Sequence, residues 1–340
     1  MLDFNKSRFL KTEQGAVKLI TPLSNLIDEL FKEGKISNVF FIGTGGVGIL
    51  FDSTIDFLKK NSRFPVFREV SSEFMLAPNK NFSSNSVVFI PSLSGTTKET
   101  LHLADFCNQQ GATTVSLVGS PDTPLEEKTN YSFYNDCLDD TSSENYYIQG
   151  LIIALRIMVN TKELSSSQFE KITNEFSKIP ETLISVKEKA EVNAKDFVSK
   201  YGDENYHIMT GAGDSWAETY YFGMCILEEM QWIKTRPVHA ADFFHGTLEL
   251  LEKNVSIIVV QGEDKSRKIT ERVLNFIPKV TNKITVIDTH DYDTKDLSRN
   301  VRKIISPIIL STVFERYSKY LADYRKHPLE VRRYYRRMNY

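Results

Sequence analysis

Two textures of apolar and polar positions alternate along this chain. Over 22–33, Leu23, Leu26, Ile27, Leu30 and Phe31 recur at helical spacing. Thr21 can cap that helix, Pro22 suits its first position and Gly34 ends it. Beyond Gly34, short runs of β-branched and aromatic residues take over, each leading into a helical stretch. Residues 38–42 (NVFFI) pass through GTGGVG into a helix ending near Lys60, and 66–70 form a second run. Residues 86–90 (SVVFI) pass through PSLSGTTKET into a helix ending near Gln110, and 113–118 (TTVSLV) form a fourth run. Strands with no polar face must be covered on both sides, and their alternation with helices is the pattern of a parallel sheet.

Residues 145–160 read as a buried helix, and 167–200 as a long helical connection in which Pro180 starts a new helix. The second half then repeats the first texture. Residues 206–210 (YHIMT) lead through GAGDSW into a helix ending near Trp232; 256–261 and 283–288 read as strands, and 304–324 as a long closing helix. Strand, glycine turn and helix thus occur twice, at 38–58 and 206–232, which points to an internal duplication of one α/β unit. The tail RKHPLEVRRYYRRMNY is expected to be a solvated, partly frayed end.

Composition narrows the class. A length of 340 residues sets a prior of two domains, and 41% hydrophobic with 25% charged residues excludes a disordered or fibrous chain. The balance of 42 Lys and Arg against 44 Asp and Glu carries no electrostatic footprint for nucleic acid. Cys107, Cys137 and Cys225 are dispersed and odd in number, unlike a disulfide framework or a clustered zinc site. MLDFNKSRFLKTEQG is no signal peptide, and the longest apolar candidate for a membrane span, 148–159, is broken by Gln149 and Arg156. A cytoplasmic protein is expected.

The strongest chemical signal is Ser92-Leu93-Ser94-Gly95-Thr96-Thr97-Lys98-Glu99-Thr100, between a strand and a helix. Unpaired N–H groups and the positive dipole end favour a phosphate there, hydroxyls add donors and Gly95 lets backbone approach closely. Simple capping would need one hydroxyl, and five occur in nine positions. The matching turn of the second half, QGEDKSRKITER, offers Glu263 and Asp264 instead, so one phosphate site per chain is expected. GTGGVG has glycines at 43, 45 and 48, a formal dinucleotide pattern, but the acid that should end the next strand, Glu69, reads as lying inside it. The segments Glu228-Glu229-Met230-Gln231-Trp232 and Asp242-Phe243-Phe244-His245-Gly246 add carboxylates and a histidine. The acids sit at a helix C-terminus, where the dipole disfavours further negative charge, a setting that suits proton transfer.

Together these residues resemble the sugar isomerase (SIS) domain family. Ser92 to Thr97 with Glu99-Thr100 matches its S-x-S-G-x-T-x-E-T sugar-phosphate loop. The resemblance implies an α/β fold of two tandem SIS domains, each a parallel five-stranded sheet flanked by helices in a flavodoxin-like, doubly wound arrangement. The corresponding division is an N-terminal helical segment 1–34, a first domain 35–165 with the phosphate loop, a connector 166–202, a second domain 203–324 and a tail 325–340. A glutaminase domain has no place in this length, and no N-terminal nucleophilic cysteine follows the start.

Within the family the chain is most similar to the fructosamine-6-phosphate deglycases of the fructoselysine and fructose-asparagine type. Residues 229–233, 243–246, Arg325-Lys326-His327-Pro328-Leu329 and Arg332-Arg333-Tyr334 carry that likeness. The resemblance implies Glu229 as general base and His245, sixteen positions on, as general acid. It also implies that the histidine reaches the site of a neighbouring subunit, hence a homodimer. On an α-helix Glu228 would face about 100° away from Glu229 and could not replace it. Gly45, Gly46, Ser72, Ser92, Ser94, Gly95 and Thr97 are the implied sugar and phosphate contacts, with Asp242 and His327 as accessory candidates. Two departures stand out: Val47 where the first glycine loop usually has a serine, and Asp242 where a glutamate is usual. Lys234, Arg236 and His239, between base and acid, could read an anionic amino-acid part, but a solvated face is the first reading. The implied reaction releases glucose 6-phosphate and an amino acid from a 6-phosphorylated Amadori compound, and it implies no metal or redox cofactor. An aldose–ketose isomerase or aminosugar-phosphate deaminase, and a non-catalytic sugar-phosphate sensor, are the alternatives.

Overall fold

The structure, a computed structural model, describes residues 1–137, 143–335 and 337–338. The chain divides into two compact units, Ser7–Pro180 and Met1–Lys6 with the chain from Glu181 onward.

In the first unit, helices α1 (Lys6–Lys18) and α2 (Ile20–Lys32) precede β1 (Asn38–Ile42), α3 (Gly46–Leu50), α4 (Asp52–Asn61) and β2 (Val66–Glu69). There follow α5 (Ser71–Leu76), β3 (Ser86–Ser92), α6 (Lys98–Gln109), β4 (Thr113–Val118), α7 (Pro124–Lys128), β5 (Tyr131–Tyr134), α8 (Glu144–Asn160) and α9 (Ser166–Phe176). The five strands are parallel in the order β2-β1-β3-β4-β5. That is the flavodoxin-like order, whose switch point lies between β1 and β3. β1 and β3 are buried along their whole length, as their unbroken apolar runs require. Phe40, Ile42, Phe74, Val88, Ile90 and Leu103 form one side of the core, while Phe41 stacks on Phe51 and Phe89. On α8, Arg156 forks onto Asp28 of α2, Nε to Oδ1 at 2.6 Å, and Asn160 adds a bond of 2.7 Å. Burial works to raise the Asp28 carboxyl, but these donors hold it below its usual value. β5 escapes the sequence pattern because it is an edge strand of half-exposed residues.

α10 (Ile179–Tyr201) begins at the expected Pro180 and carries the chain into the second unit. There β6 (Tyr206–Gly211) is followed by α11 (Trp216–Tyr221), β7 (Lys234–His239), β8 (Ser256–Gln261), α12 (Arg267–Phe276), β9 (Ile284–Asp288), α13 (Arg299–Ile304) and α14 (Ser306–Arg325). The sheet is parallel in the order β7-β6-β8-β9. It repeats the order of the first sheet strand for strand up to β4, which agrees with a duplicated unit. The expectation of five strands is corrected here to four among the described residues. After β9 the chain turns through Thr289–Asp291 into α13, where the first unit supplies β5. Lys234, Arg236 and His239, expected on a solvated face, lie on β7, where Lys234 and Arg236 are exposed and His239 is half-buried. β7 pairs only with β6, and an edge position tolerates Pro237.

A buried ion cluster ties this unit together. Lys187 Nζ of α10 meets Glu315 Oε2 of α14 at 2.9 Å, with side chains 1% and 4% exposed. Arg316, fully buried, forks onto Glu315, reaches Glu191 Oε1 at 3.3 Å and donates to the Leu2 carbonyl at 2.7 Å. Phe4 lies against both cations. No described helix is long and apolar enough to cross a membrane.

Burial works to raise the Glu315 carboxyl, but Lys187 and Arg316 hold it below its ordinary 4.5. Its stabilising contribution is therefore complete above pH 4.5 and is lost as pH falls through the lowered folded value. Glu315→Gln removes the carboxylate that two buried cations share and should destabilise the second unit by about 3–5 kcal/mol at neutral pH. Urea denaturation at pH ~7 should show that loss, and the gap from the parent protein should narrow in acid as Glu315 itself takes up a proton.

Candidate functional site

The phosphate-type loop leaves β3 at Ser92 and enters α6 after Thr97. Ser92 is buried and shapes the turn: its Oγ accepts the Gly95 N–H at 3.0 Å. The Ser94 and Thr96 hydroxyls bond to each other at 2.9 Å. Thr97, exposed at the helix start, gives α6 no side-chain cap. The capping explanation of the hydroxyl cluster therefore does not hold, and the first-turn N–H groups stay available to an anion. Gly95 has φ +61°, and a Cβ there would lie 2.4 Å from the Thr123 side chain, which itself caps α7 with Glu126.

Glu99, in the first turn of α6, is the positioning residue that the sequence carried only as a motif letter. Its Oε1 accepts from Thr44 Oγ1 at 3.2 Å and from the Ser72 hydroxyl. It thus joins the glycine loop, the start of α5 and the 92–97 loop. In the glycine loop Gly45 lies at the turn and Gly46 opens α3, while Val47, half-buried, brings no hydroxyl. A Cβ on Gly48 would stand 2.4 Å from the Gly43 carbonyl oxygen, so close packing explains that pair of glycines. Glu69 proves to be the last residue of β2, not an interior one, and Asn79 Nδ2 bonds to it at 2.8 Å.

The matching turn after β8 is filled by ion pairs. Arg302 Nε meets Glu263 at 2.8 Å, Arg267 forks onto Asp288, and Asp214 Oδ2 accepts the Glu263 N–H at 3.0 Å.

Glu229 lies on a segment that sequence periodicity reads as ordinary helix. From Phe222 to Met230 the helix widens to a π-helix, ending with Gln231 N–H bonded to the Ile226 carbonyl at 3.0 Å. Trp232 then takes φ +56°, a left-handed conformation rare for a bulky residue. Such turns recur at functional sites. The wider turn also corrects the placement of Glu228, which lines the same cleft as Glu229. Thr235 Oγ1 donates to Glu228 at 2.5 Å, and Arg332 Nε donates to Glu229 at 2.8 Å.

The cleft has a volume of about 510 Å³, and Glu228, Glu229, Trp232, Arg332, Arg333 and Tyr334 are among its walls. Four of its ten lining residues belong to the tail, whose start at 326–332 is packed rather than frayed, while Arg333, Tyr334, Tyr335, Arg337 and Met338 are exposed as expected and 336, 339 and 340 lie outside the described residues. Lys326 closes α14 in a left-handed conformation, and the His327 N–H returns to Ala322 O at 3.0 Å. Gln231 Nε2 donates to the His327 carbonyl at 2.9 Å, Leu329 is buried, and the Arg333 guanidinium stands 4.0 Å from the Trp232 ring. These partners lie far from the tail in sequence, so no local pattern announces them. His327 packs edge-on to Trp232 at 4.3 Å. Burial, then the Arg325, Arg333 and Arg332 charges, push its imidazole below 6.5 and keep it neutral at pH 7.

His245 and Asp242 are exposed on the turn after β7, anchored by buried Phe243. Neither is a wall of the Glu229 cleft, and His245 makes no side-chain hydrogen bond or ion pair among the described residues. Within one chain the structure brings Glu229 together with the tail, and Ser72 with the glycine loop and Glu99. Among the described residues no group of three His, Cys, Asp or Glu is placed to hold a metal ion.

Gly95→Ala should strain the loop by about 1–3 kcal/mol, because L-residues resist φ > 0 and Thr123 blocks the methyl. A lowered melting temperature of the first unit, several degrees below the parent, is the expected reading.

Comparison with known proteins agrees with this architecture. Residues 34–156 match the SIS domain model. The chain is 28% identical to "Fructosamine deglycase FrlB" of Bacillus subtilis (strain 168), over 96% of this chain and 99% of the relative. It is 24% identical to "Fructoselysine 6-phosphate deglycase" of Escherichia coli (strain K12), over 98% of each. A crystal structure from Salmonella typhimurium LT2, provisionally named a phosphosugar isomerase, superposes with a TM-score of 0.86 at 29% identity, over 94% of this chain and 99% of that one. Residues 34–156 are therefore similar to the SIS domain, and the whole chain is similar to fructosamine and fructoselysine 6-phosphate deglycases.

Proposed function

We propose that this protein is a deglycase that cleaves a 6-phosphofructosyl amino acid with water to glucose 6-phosphate and the free amino acid. The observation that carries this reading is end-to-end similarity to the B. subtilis fructosamine deglycase, in a chain whose Glu229 lines a solvent-open cleft. In this reading the uncapped turn at 92–97 binds the 6-phosphate through N–H groups and hydroxyls, with Glu99 and Ser72 holding its shape. His245, contributed by the second copy of a cytoplasmic homodimer, protonates the ring oxygen and opens the sugar to the ketone. Its exposure and the lack of a side-chain hydrogen bond or ion pair among the described residues suit that role. Glu229 takes a proton from C1 to give the enaminol. Return of a proton to C2 leaves an imine at C1, and water splits that imine into the aldehyde and the amine. Every step is a proton transfer, an addition of water or the expulsion of the amine from the resulting carbinolamine, so no net oxidation or reduction occurs.

An isomerase acting on a free sugar phosphate would use the same loop and base, and the name of the Salmonella structure favours it as the second reading. A coupled assay for glucose 6-phosphate, run on several 6-phosphofructosyl amino acids with fructose 6-phosphate and glucosamine 6-phosphate as controls, separates the two. Release from the adducts supports the deglycase; turnover of the controls alone replaces it by the isomerase or deaminase reading. Glu229→Gln should lower kcat by about 10²–10⁴-fold with KM little changed; undiminished turnover would remove Glu229 from the mechanism.

A further inference from the structure

We propose that Glu228 is a second catalytic carboxylate, the one that activates the water which splits the imine. The proposal rests on the deglycase reading and names the residue that separates amine release from mere isomerisation.

An aldose–ketose isomerisation moves one proton between C1 and C2, and one carboxylate can carry it both ways. Release of an amine asks for more. A water must add to C1 once those transfers are complete, and it loses a proton as it does so. Nitrogen must gain protons before it can leave. Two acids stand ready for these two halves of the reaction. Glu228 and Glu229 are consecutive in the chain and both line the cleft, on the segment from Phe222 to Met230 that is π-helical. Irregular helix of this kind is frequent at functional sites.

The two acids are held differently. Glu229 is half-buried and accepts the Arg332 Nε–H at 2.8 Å, an ion pair that fixes it beside the tail. Glu228 is exposed, so water reaches it freely. Its Oε1 accepts from Thr235 Oγ1 at 2.5 Å, and its Oε2 has no hydrogen bond or ion pair among the described residues. A single neutral hydroxyl thus orients the carboxylate and leaves one oxygen to take a proton from water. Thr235 lies on β7, in register with His207 of β6, so the orienting donor stands on the sheet and not on a loop.

As the water oxygen bonds to C1, the π pair of the imine moves to nitrogen, and Glu228 takes a proton from the water and passes it to that nitrogen. The product is a carbinolamine. When it collapses, the hydroxyl proton goes to Glu228 as the C=O bond forms. The C1–N pair leaves with nitrogen, which takes the proton that Glu228 carries. Both protons of the water end on the amine and its oxygen on the aldehyde. Nothing is oxidised or reduced, and Glu228 ends as the carboxylate it was.

The test follows two events at C1 in one sample. The full chain is incubated in heavy water with a 6-phosphofructosyl amino acid that the parent cleaves, and proton NMR reads both glucose 6-phosphate and deuterium entering C1 of the remaining adduct. Glu228→Gln should lower release by about 10²-fold. Deuterium entry, which needs only Glu229, should be at least as fast as in the parent, because the imine now returns to the ketone. Glu229→Gln should stop both events. Equal loss of release and exchange in Glu228→Gln overturns the proposal, since Glu228 would then serve the step of Glu229 or the fold. Undiminished release overturns it as well. Thr235→Val keeps the side-chain shape without the donor and should slow release less than Glu228→Gln does, with exchange kept. If Glu228→Gln does not fold, Thr235→Val decides: release lowered with exchange kept supports the proposal, and any other pattern overturns it. Absence of glucose 6-phosphate from every adduct with the parent protein is a different failure, since it removes the deglycase reading itself.

Discussion

The second unit depends on charges almost wholly withdrawn from water. Lys187, Glu191, Glu315 and Arg316 meet between α10, α14 and the backbone at Leu2. Charges in such a place are tolerable only when each is paired and hydrogen-bonded, so the cluster fixes how the two helices lie along one another. That constraint reaches the candidate site through the chain itself. α14 ends at the left-handed Lys326, and the residues beyond it run directly to Gln231, Trp232 and Glu229. A displaced α14 would carry Arg332 away from Glu229.

At the other end of that link stands a backbone that departs from regular geometry. The π-helical stretch carries Glu228 and Glu229, which line one cleft, and the positive φ of Trp232 follows it. Both features cost conformational energy, and the surrounding contacts offset it. Gln231 is held by the His327 carbonyl, and Trp232 is held by the His327 ring and the Arg333 guanidinium. The first unit solves a comparable problem with smaller parts. Ser92 folds the loop onto Gly95, and Glu99 gathers Thr44 and Ser72. In the second unit the equivalent turn carries Glu263 in a bond to Arg302, so the two halves of a repeated order of strands have taken different chemical forms.

The sequence by itself determined the elements whose signal is local. Buried strands such as 38–42, 86–92 and 256–261 announce themselves by apolar runs, because both faces must leave water. The hydroxyl-rich turn at 92–97 is legible for a similar reason: its donors, its glycine and its helix are contiguous. Edge strands β5 and β7 were not legible, because a half-exposed strand need not be apolar. Only the tertiary structure decided that the second sheet stops at four strands and that Glu228 and Glu229 share a cleft. It alone gave the basic tail, outwardly a solvated end, its place as a wall of that cleft. These outcomes rest on contacts between residues far apart in the chain, such as Glu229 with Arg332 and Gln231 with His327. The free energy of such contacts comes from a geometry that exists only once the second unit has closed around its buried charges.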